Sequence, residues 1–390
     1  MSRPKPDIRA ITRLVPPAGN LVQGQSELPI DPALAQAAAK AMTDNQNHYG
    51  PAEGVPDLRR AVAAKIAECN QLTVDPEAKQ LELMITNGGT GALISLTAAH
   101  LRGASVLLFE PFYPYHRRIT EEFGGKAEAM PLRREDMSFD KAELRRRCAE
   151  LKNRGQHPLR AIVVCSPANP TGKVFTRDEL QAVAEVCQEQ DLLCIADEVY
   201  EHYVTGSKPH VSMASLPGMW ERTVTVNSFS KSWNISGWRL GYAYGPGKLI
   251  APMSAAANVF YVNPATPLQV GLAKTVMADS SRYRKLGETF TAKWRRVAKA
   301  FEEMGFKIYD SGSAFYIWAQ APAPHRDAMV FNQMLLEKFQ VAGVPGAAFA
   351  DSEQWDDCLR FCIAREDHIL ESAVERIRKA VSAVGDRVIV

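Results

Sequence analysis

The chain has 390 residues, of which 46% are hydrophobic, with 46 basic against 44 acidic side chains and a formal net charge of +2. This length suits one large domain plus a smaller one, or two to three modest domains. The near balance of charge offers no electrostatic case for nucleic acid, and no stretch approaches the roughly 20 consecutive apolar residues of a membrane span. The first 20 residues lack the apolar core of a secretory signal. The seven cysteines are odd in number and contain no CxxC pair. Cys165, Cys187 and Cys194 lie in apolar or helical stretches and read as buried thiols. A reducing compartment, and so the cytoplasm, is the expectation.

From about residue 80 the pattern alternates between strand and helix. Leu81–Thr86 is a short apolar run, and Gly89–Leu101 has helical apolar spacing. Ser105–Glu110, Ala161–Ser166 and Leu192–Ala196 read as buried strands. Thr176-Arg177-Asp178-Glu179 is a capping box that opens the intervening helix. Thr223–Phe229 and Leu240–Tyr244 extend the series. Such alternation predicts an α/β fold with a mostly parallel sheet flanked by helices. After residue 265 a long helical stretch precedes strands near Ala314–Trp318 and Leu359–Ile363 and a terminal helix near Glu366–Val381. This tail predicts a small α+β domain. The expected division is a large domain over 45–282 and a small one from 1–44 with 283–390, in broad contact because no Gly/Ser linker separates them.

Four segments carry chemistry. Asn87-Gly88-Gly89-Thr90-Gly91 follows a strand and opens a helix, so its backbone can approach a phosphate closely. It is neither a Walker loop nor GxGxxG. Ser166-Pro167-Ala168-Asn169-Pro170-Thr171-Gly172 sits at the carboxyl end of a strand, where open parallel sheets bind ligands. Asp197 closes an apolar run, and a partly buried carboxylate there needs a cationic partner. Val226-Asn227-Ser228-Phe229-Ser230-Lys231, with Arg239 eight residues on, brings hydroxyls and cations to a strand end.

In this order, and with further matches, the chain resembles the fold-type I, pyridoxal-phosphate-dependent aminotransferases of class I/II. The added matches are Tyr49 with Gly54-Val55-Pro56-Asp57-Leu58-Arg59, Pro111-Phe112-Tyr113-Pro114, Gly237-Trp238-Arg239-Leu240-Gly241 and Leu359-Arg360-Phe361. The resemblance implies pyridoxal 5′-phosphate as cofactor, held as a Schiff base on Lys231, whose freed amine then moves the substrate proton. It implies that Asp197 pairs with the pyridine nitrogen and that Asn169 and Tyr200 bond the phenolic oxygen. Gly89, Thr90, Ser228, Ser230 and Arg239 would hold the phosphate, and Tyr113 would stack on the ring. Arg360 would clamp the substrate α-carboxylate, near Asn169 and the backbone of Gly24. Tyr49 would reach the phosphate of a partner subunit, implying a homodimer.

Plainer readings stand beside these roles. Tyr113 could be a core aromatic, Ser230 a turn cap and Arg360 a structural ion pair. His116 falls where some members have a histidine behind the pyridine-binding aspartate and others a tyrosine, whereas His48 and Trp233 read as packing. Two departures bear on specificity. Gly24-Gln25-Ser26-Glu27-Leu28 replaces the family's usual Gly-x-Pro-Asp-Phe. Near Tyr261-Val262-Asn263-Pro264, Asn258 occupies the position where aspartate-specific members bring an arginine. A neutral or aromatic amino donor with a 2-oxo acid acceptor is therefore expected. Elimination, decarboxylation or oxidation on the same scaffold is the alternative, and an idle module of a DNA-binding regulator is disfavoured by the short stretch before Tyr49.

Overall fold

Short apolar runs bounded by turns assemble into the centre of the molecule. The computed structural model describes residues 5–204, 209–275, 277, 279–309 and 313–385. Seven strands form the larger sheet: β1 (Leu83–Thr86), β2 (Ser105–Glu110), β3 (Lys126–Pro131), β4 (Leu159–Cys165), β5 (Leu193–Asp197), β6 (Thr223–Ser228) and β7 (Gly241–Tyr244). Their order is β1-β7-β6-β5-β4-β2-β3. Every pairing is parallel except those of β7, which runs antiparallel to β1 and β6. β2 and β6 are buried at every position, which is why they read as continuous runs and not as alternating ones. β3, the edge strand, is only partly covered: Glu128 and Met130 are buried, Ala127 and Ala129 half-buried, and both ends exposed. Its Lys-Ala-Glu-Ala-Met-Pro sequence carried too little apolar signal to be read as a strand.

Four further strands form an antiparallel sheet: β8 (Lys307–Ile308), β9 (Tyr316–Gln320), β10 (Val344–Pro345) and β11 (Cys358–Cys362), in the order β10-β11-β9-β8. The helix 177–189 begins at the expected box, with Glu179 N–H donating to Thr176 Oγ1 at 3.2 Å and Thr176 N–H to Glu179 Oε2 at 2.8 Å. The stretch after residue 265 is not one helix. It divides into Thr266–Ala273 and Ser280–Glu303, the second capped by Asp279.

The amino-terminal segment spreads its contacts over both sheets. Helix α1 (Ile8–Leu14) lays Ile8 and Ile11 against a cluster that joins Leu107, Ile162 and Cys194 to Trp318, Phe349 and Trp355. One hydrophobic cluster thus runs through both sheets. Next, Leu21 N–H donates to Ala342 O and accepts from Cys362 N–H at its own carbonyl, at 3.2 and 2.8 Å, tying this strand-like piece to the smaller sheet. Helix α2 (Pro32–Thr43) packs on 266–273 so closely that a Cβ at Gly271 would lie 2.6 Å from Ala38 Cα. The carboxyl ends of β4, β5 and β6 open toward one cavity between the two sheets, of about 910 Å³.

Candidate active site

Helix α3 (Pro56–Asn70) precedes β1, and helix α4 (Gly88–His100) follows it through the Asn87 turn. Asn87 makes no side-chain cap bond to α4, so the first N–H groups of the helix remain available to a ligand. Gly88 has φ +69°, and a Cβ there would lie 2.5 Å from Arg239 Nη2. The Arg239 guanidinium can lie against Gly88 because the glycine has no Cβ. Arg239 itself has φ 53° and donates to Ser236 O at 2.9 Å. The oxygen atoms nearby differ. Ser228 Oγ already accepts from Ser230 N–H at 3.2 Å. Ser230 Oγ is buried and has no partner among the described residues. Gly89, Thr90, Ser228, Ser230 and Arg239 all line the cavity.

At another part of the cavity Asp197, nearly fully buried, places Oδ2 2.7 Å from His116 Nε2. His116 thus lies directly behind the carboxylate. Tyr113 crosses His116 edge-on, with ring centroids 5.4 Å apart, and stacks on Tyr115 at 5.3 Å and 9°. Burial pushes the Tyr113 and Tyr200 hydroxyls well above the ordinary tyrosine range, so both stay protonated donors. Tyr200 Oη lies 2.7 Å from Tyr316 Oη.

Lys231 follows β6 on a single helical turn. Its Nζ donates to Gly24 O at 2.5 Å and lies over the rings of Phe315 and Tyr200, at 5.4 and 5.7 Å from their centroids. Burial of the ammonium lowers its pKa to about 8. Arg360, on β11, is 2% exposed. It donates to Asn169 Oδ1 at 2.8 Å and to Val22 O, sits over the rings of Tyr316 and Phe349, and keeps Nε buried without a partner. No carboxylate pairs with it among the described residues, so the plain ion-pair reading of Arg360 does not describe its surroundings.

The cavity therefore gathers Gly24, Gly89, Thr90, Tyr113, Asn169, Asp197, Tyr200, Ser228, Lys231, Arg239 and Arg360 from positions as far apart as 24 and 360. Tyr49 is not among its lining residues; it is 87% exposed. Four residues at the cavity were not singled out for it from the sequence. Tyr316 holds the Tyr200 hydroxyl, and its own hydroxyl would lie 2.3 Å from a Cβ at Gly24. Cys165 is half-buried and borders the cavity, where it was expected in the core. Arg9 and Arg13 of α1 also line it.

This donor set suits pyridoxal phosphate. Free helix N–H groups, the unpartnered Ser230 hydroxyl and Arg239 match a phosphate. Asp197 matches a protonated pyridine nitrogen, and a lysine amine of lowered proton affinity matches an aldehyde.

The sequence matches the family described as aminotransferase class I and II over residues 18–377. It is 32% identical to a probable N-succinyldiaminopimelate aminotransferase of Mycobacterium tuberculosis, covering 92% of this chain and 91% of that one. It is 30% identical to kynurenine–oxoglutarate transaminase 3 of Rattus norvegicus, covering 93% and 85%. The solved structure of the M. tuberculosis N-succinyldiaminopimelate aminotransferase superposes with a TM-score of 0.88 over 96% of each chain. An aromatic aminotransferase from Pyrococcus horikoshii, 30% identical, does so with 0.84 over 98% of this chain and 100% of that one. The chain belongs to the class I and II aminotransferase family and has its fold-type I architecture. It is a pyridoxal-phosphate-dependent enzyme that transfers an amino group between an amino acid and a 2-oxo acid. These relatives transfer amino groups, and they lend no support to elimination, decarboxylation or oxidation.

Proposed function

We propose that Lys231 carries the cofactor and moves the proton at the substrate α-carbon, and that the amino donor is a neutral or aromatic amino acid held through its α-carboxylate by Arg360. One juxtaposition supports this most directly. The half-buried Lys231 amine shares its cavity with Arg360, whose buried guanidinium has an unpartnered N–H and no carboxylate beside it. When bound, pyridoxal phosphate supplies a ring that accepts electron density from the substrate α-carbon.

The protein's own groups do the rest. Asp197 keeps a proton on the pyridine nitrogen, and His116 orients the carboxylate. Asn169 and Tyr200 donate to the phenolic oxygen, with Tyr316 orienting the Tyr200 hydroxyl. The Gly89 and Thr90 N–H groups, Ser228, Ser230 and Arg239 bind the phosphate, and Tyr113 covers the ring. Asn169 Oδ1 and Val22 O fix the Arg360 fork, and the Gly24 carbonyl accepts from the Lys231 amine while no cofactor is bound to it.

The assembly we propose is a homodimer in which Tyr49 enters the partner's site. Tyr49 is 87% exposed and Val259 82%, and Phe260 and Val262 add further uncovered apolar surface. The two segments are linked, because Thr266 donates to His48 O at 2.8 Å. An exposed cluster of this kind marks an interface. We further propose a large unit over 45–282, a small one from 1–44 and 283–390, and a cytoplasmic location. No described helix is long and apolar enough to cross a membrane.

The visible spectrum of the holoenzyme tests the reading as amino acids are added singly. Neutral and aromatic donors should convert the cofactor to its aminated form, and a 2-oxo acid should reverse the change. Lys231→Ala should keep its circular dichroism and lose the protein-linked band. Aspartate as the best donor would refute the donor class, and an unchanged band in Lys231→Ala would refute the lysine assignment.

A further inference from the structure

Asp197 is followed by a second buried carboxylate that the reaction leaves unused. The side chains of Glu198 and Glu201 are each 3% exposed, and Lys65, His202 and His210 pack against them. Glu201 is fully engaged. Lys65 Nζ and Asn227 Nδ2 donate to its Oε1, and Asn70 Nδ2 donates to Oε2 at 2.7 Å. Glu198 is engaged on one side only. Its Oε1 accepts from Ser212 Oγ and from the Met213 N–H, both at 3.0 Å. Its Oε2 has no hydrogen-bond partner among the described residues and lies 3.2 Å from His210 Nε2.

A neutral ring could also donate across that gap, but the charge count asks for more. Two buried carboxylates face one ammonium, and a buried carboxylate without a countercharge is costly. His202 does not supply the charge. Burial lowers its pKa to about 3, and its ring stacks on Tyr283 at 3.8 Å and 12°. Burial alone would lower His210 as well, yet Glu198 and Glu201 outweigh it and the net direction is upward. The other titratable groups around the network are Cys69 on α3, Tyr242 and Tyr244 on β7, and Tyr283. Burial pushes all four up, so they stay neutral. The ligand atoms of Glu198, Glu201 and His210 lie within 4.8 Å of one another, close enough for a metal ion. Such an ion would have to displace Lys65 and Asn227 from Glu201, so a protonated ring fits these surroundings better.

The network reaches the cofactor cavity through the backbone. Glu198 directly follows Asp197, and its N–H donates to Val226 O at 3.0 Å. Asn227 Nδ2 bridges Glu201 and the Glu198 carbonyl, the latter at 3.1 Å, while Asn227 Oδ1 accepts from the Ser228 N–H at 2.7 Å. One charged cluster thus braces Asp197 and Ser228, on neighbouring strands, from behind.

We infer that His210 is a positioning residue: its imidazolium pairs with Glu198 and holds the turn and the strand end that present Asp197 and Ser228 to the cofactor. The inference rests on the roles proposed for those two residues. The charge contributes fully below the ordinary histidine value, and the contribution is lost as pH rises through the raised one.

The test measures, by calorimetry across the histidine range, binding of pyridoxamine 5′-phosphate to the full-length protein. This ligand has no aldehyde for Lys231, and comparing proteins at each pH cancels the titration of ligand and lysine. His210→Gln strands the Glu198 carboxylate. It should weaken binding by about fivefold or more at low pH, and the gap should close as pH rises through the wild-type titration. The double variant Glu198→Gln/His210→Gln puts two amides in place of the ion pair. It should fold even where the single variant does not, bind more tightly than His210→Gln, and show a gap from the wild type that again follows the titration. By NMR of the holoenzyme, the histidine ring signal missing from the double variant should titrate above about 6.5. A signal titrating at or below that value, or a binding gap that pH does not change, overturns the inference. So does a stoichiometric zinc ion that the double variant loses. Asp197→Asn binding the ligand as tightly as the wild type refutes the site reading instead, and the NMR titration then decides the ion pair by itself.

Discussion

Lys231 shows what burial does to one residue. A neutral amine loses less than an ammonium on leaving water, so the pocket lowers its pKa to about 8, with Arg360 and Arg239 adding to the effect. On the proposed assignment, only the deprotonated amine could hold the cofactor aldehyde. Reconstitution of the apoprotein with pyridoxal phosphate should therefore accelerate as pH rises through about 8 and level off above it. An unperturbed lysine would continue to gain until about 10.4, and stopped-flow absorbance separates the two profiles. The sign for stability follows from the same shift. Between about 8 and the ordinary value the unfolded chain holds a proton that the folded apoprotein has released, so this group makes stability rise with pH across that window. Position 231 was legible because Ser-Phe-Ser-Lys lies at a strand end in the company of the other motifs. Its contact with Gly24 was not, because 207 residues separate the two.

Among the elements, the loop 20–27 depends on a residue that no motif marked. Arg365 is fully buried and donates to the carbonyls of Asn20, Gln23 and Gln25 at 2.7, 2.8 and 2.7 Å, with Glu27 3.3 Å away. The loop replaces the proline-containing version usual in the family, and this guanidinium supplies rigidity from outside it. Gly24 is held where its carbonyl meets Lys231 and where Tyr316 leaves no room for a Cβ. Arg365→Met should lower stability by about 2–4 kcal/mol, since several buried carbonyls lose their donor. It should also raise KM for the amino acid, with Arg365→Lys intermediate in both; denaturant melts and steady-state kinetics check the pair. In sequence, Arg365 is one more arginine after a strand. Its role exists only because the chain's two ends meet.

For the whole molecule, the exposed Tyr49 and the uncovered Val259–Val262 surface carry the dimer proposal. Tyr49→Phe should weaken retention of the phosphate, and Lys231→Ala should be inactive. If sites are shared, mixed dimers of Tyr49→Phe and Lys231→Ala place both lesions around one site and leave the other intact. Refolded mixtures should then recover up to about half of wild-type activity per heterodimer, by the arithmetic of closed two-fold symmetry. Equilibrium sedimentation of the wild type should give twice the chain mass, and a monomer that retains full activity would rule the arrangement out.

The amino-acid sequence by itself determined the layered α/β architecture, because strands buried on both faces must be continuous apolar runs. It also determined the chemistry-bearing strand ends, because glycine turns, the Asn169 segment and Lys231 follow those runs at short range. Tertiary structure alone decided which distant groups meet. It set Arg360 against Asn169, Tyr316 against Tyr200, Arg365 under the loop 20–27 and Arg9 beside Tyr115. It also decided that the weakly patterned edge strand β3 pairs at all. Periodicity reports which face of an element avoids water, whereas the identity of the partner across a cavity depends on how the two sheets close on each other.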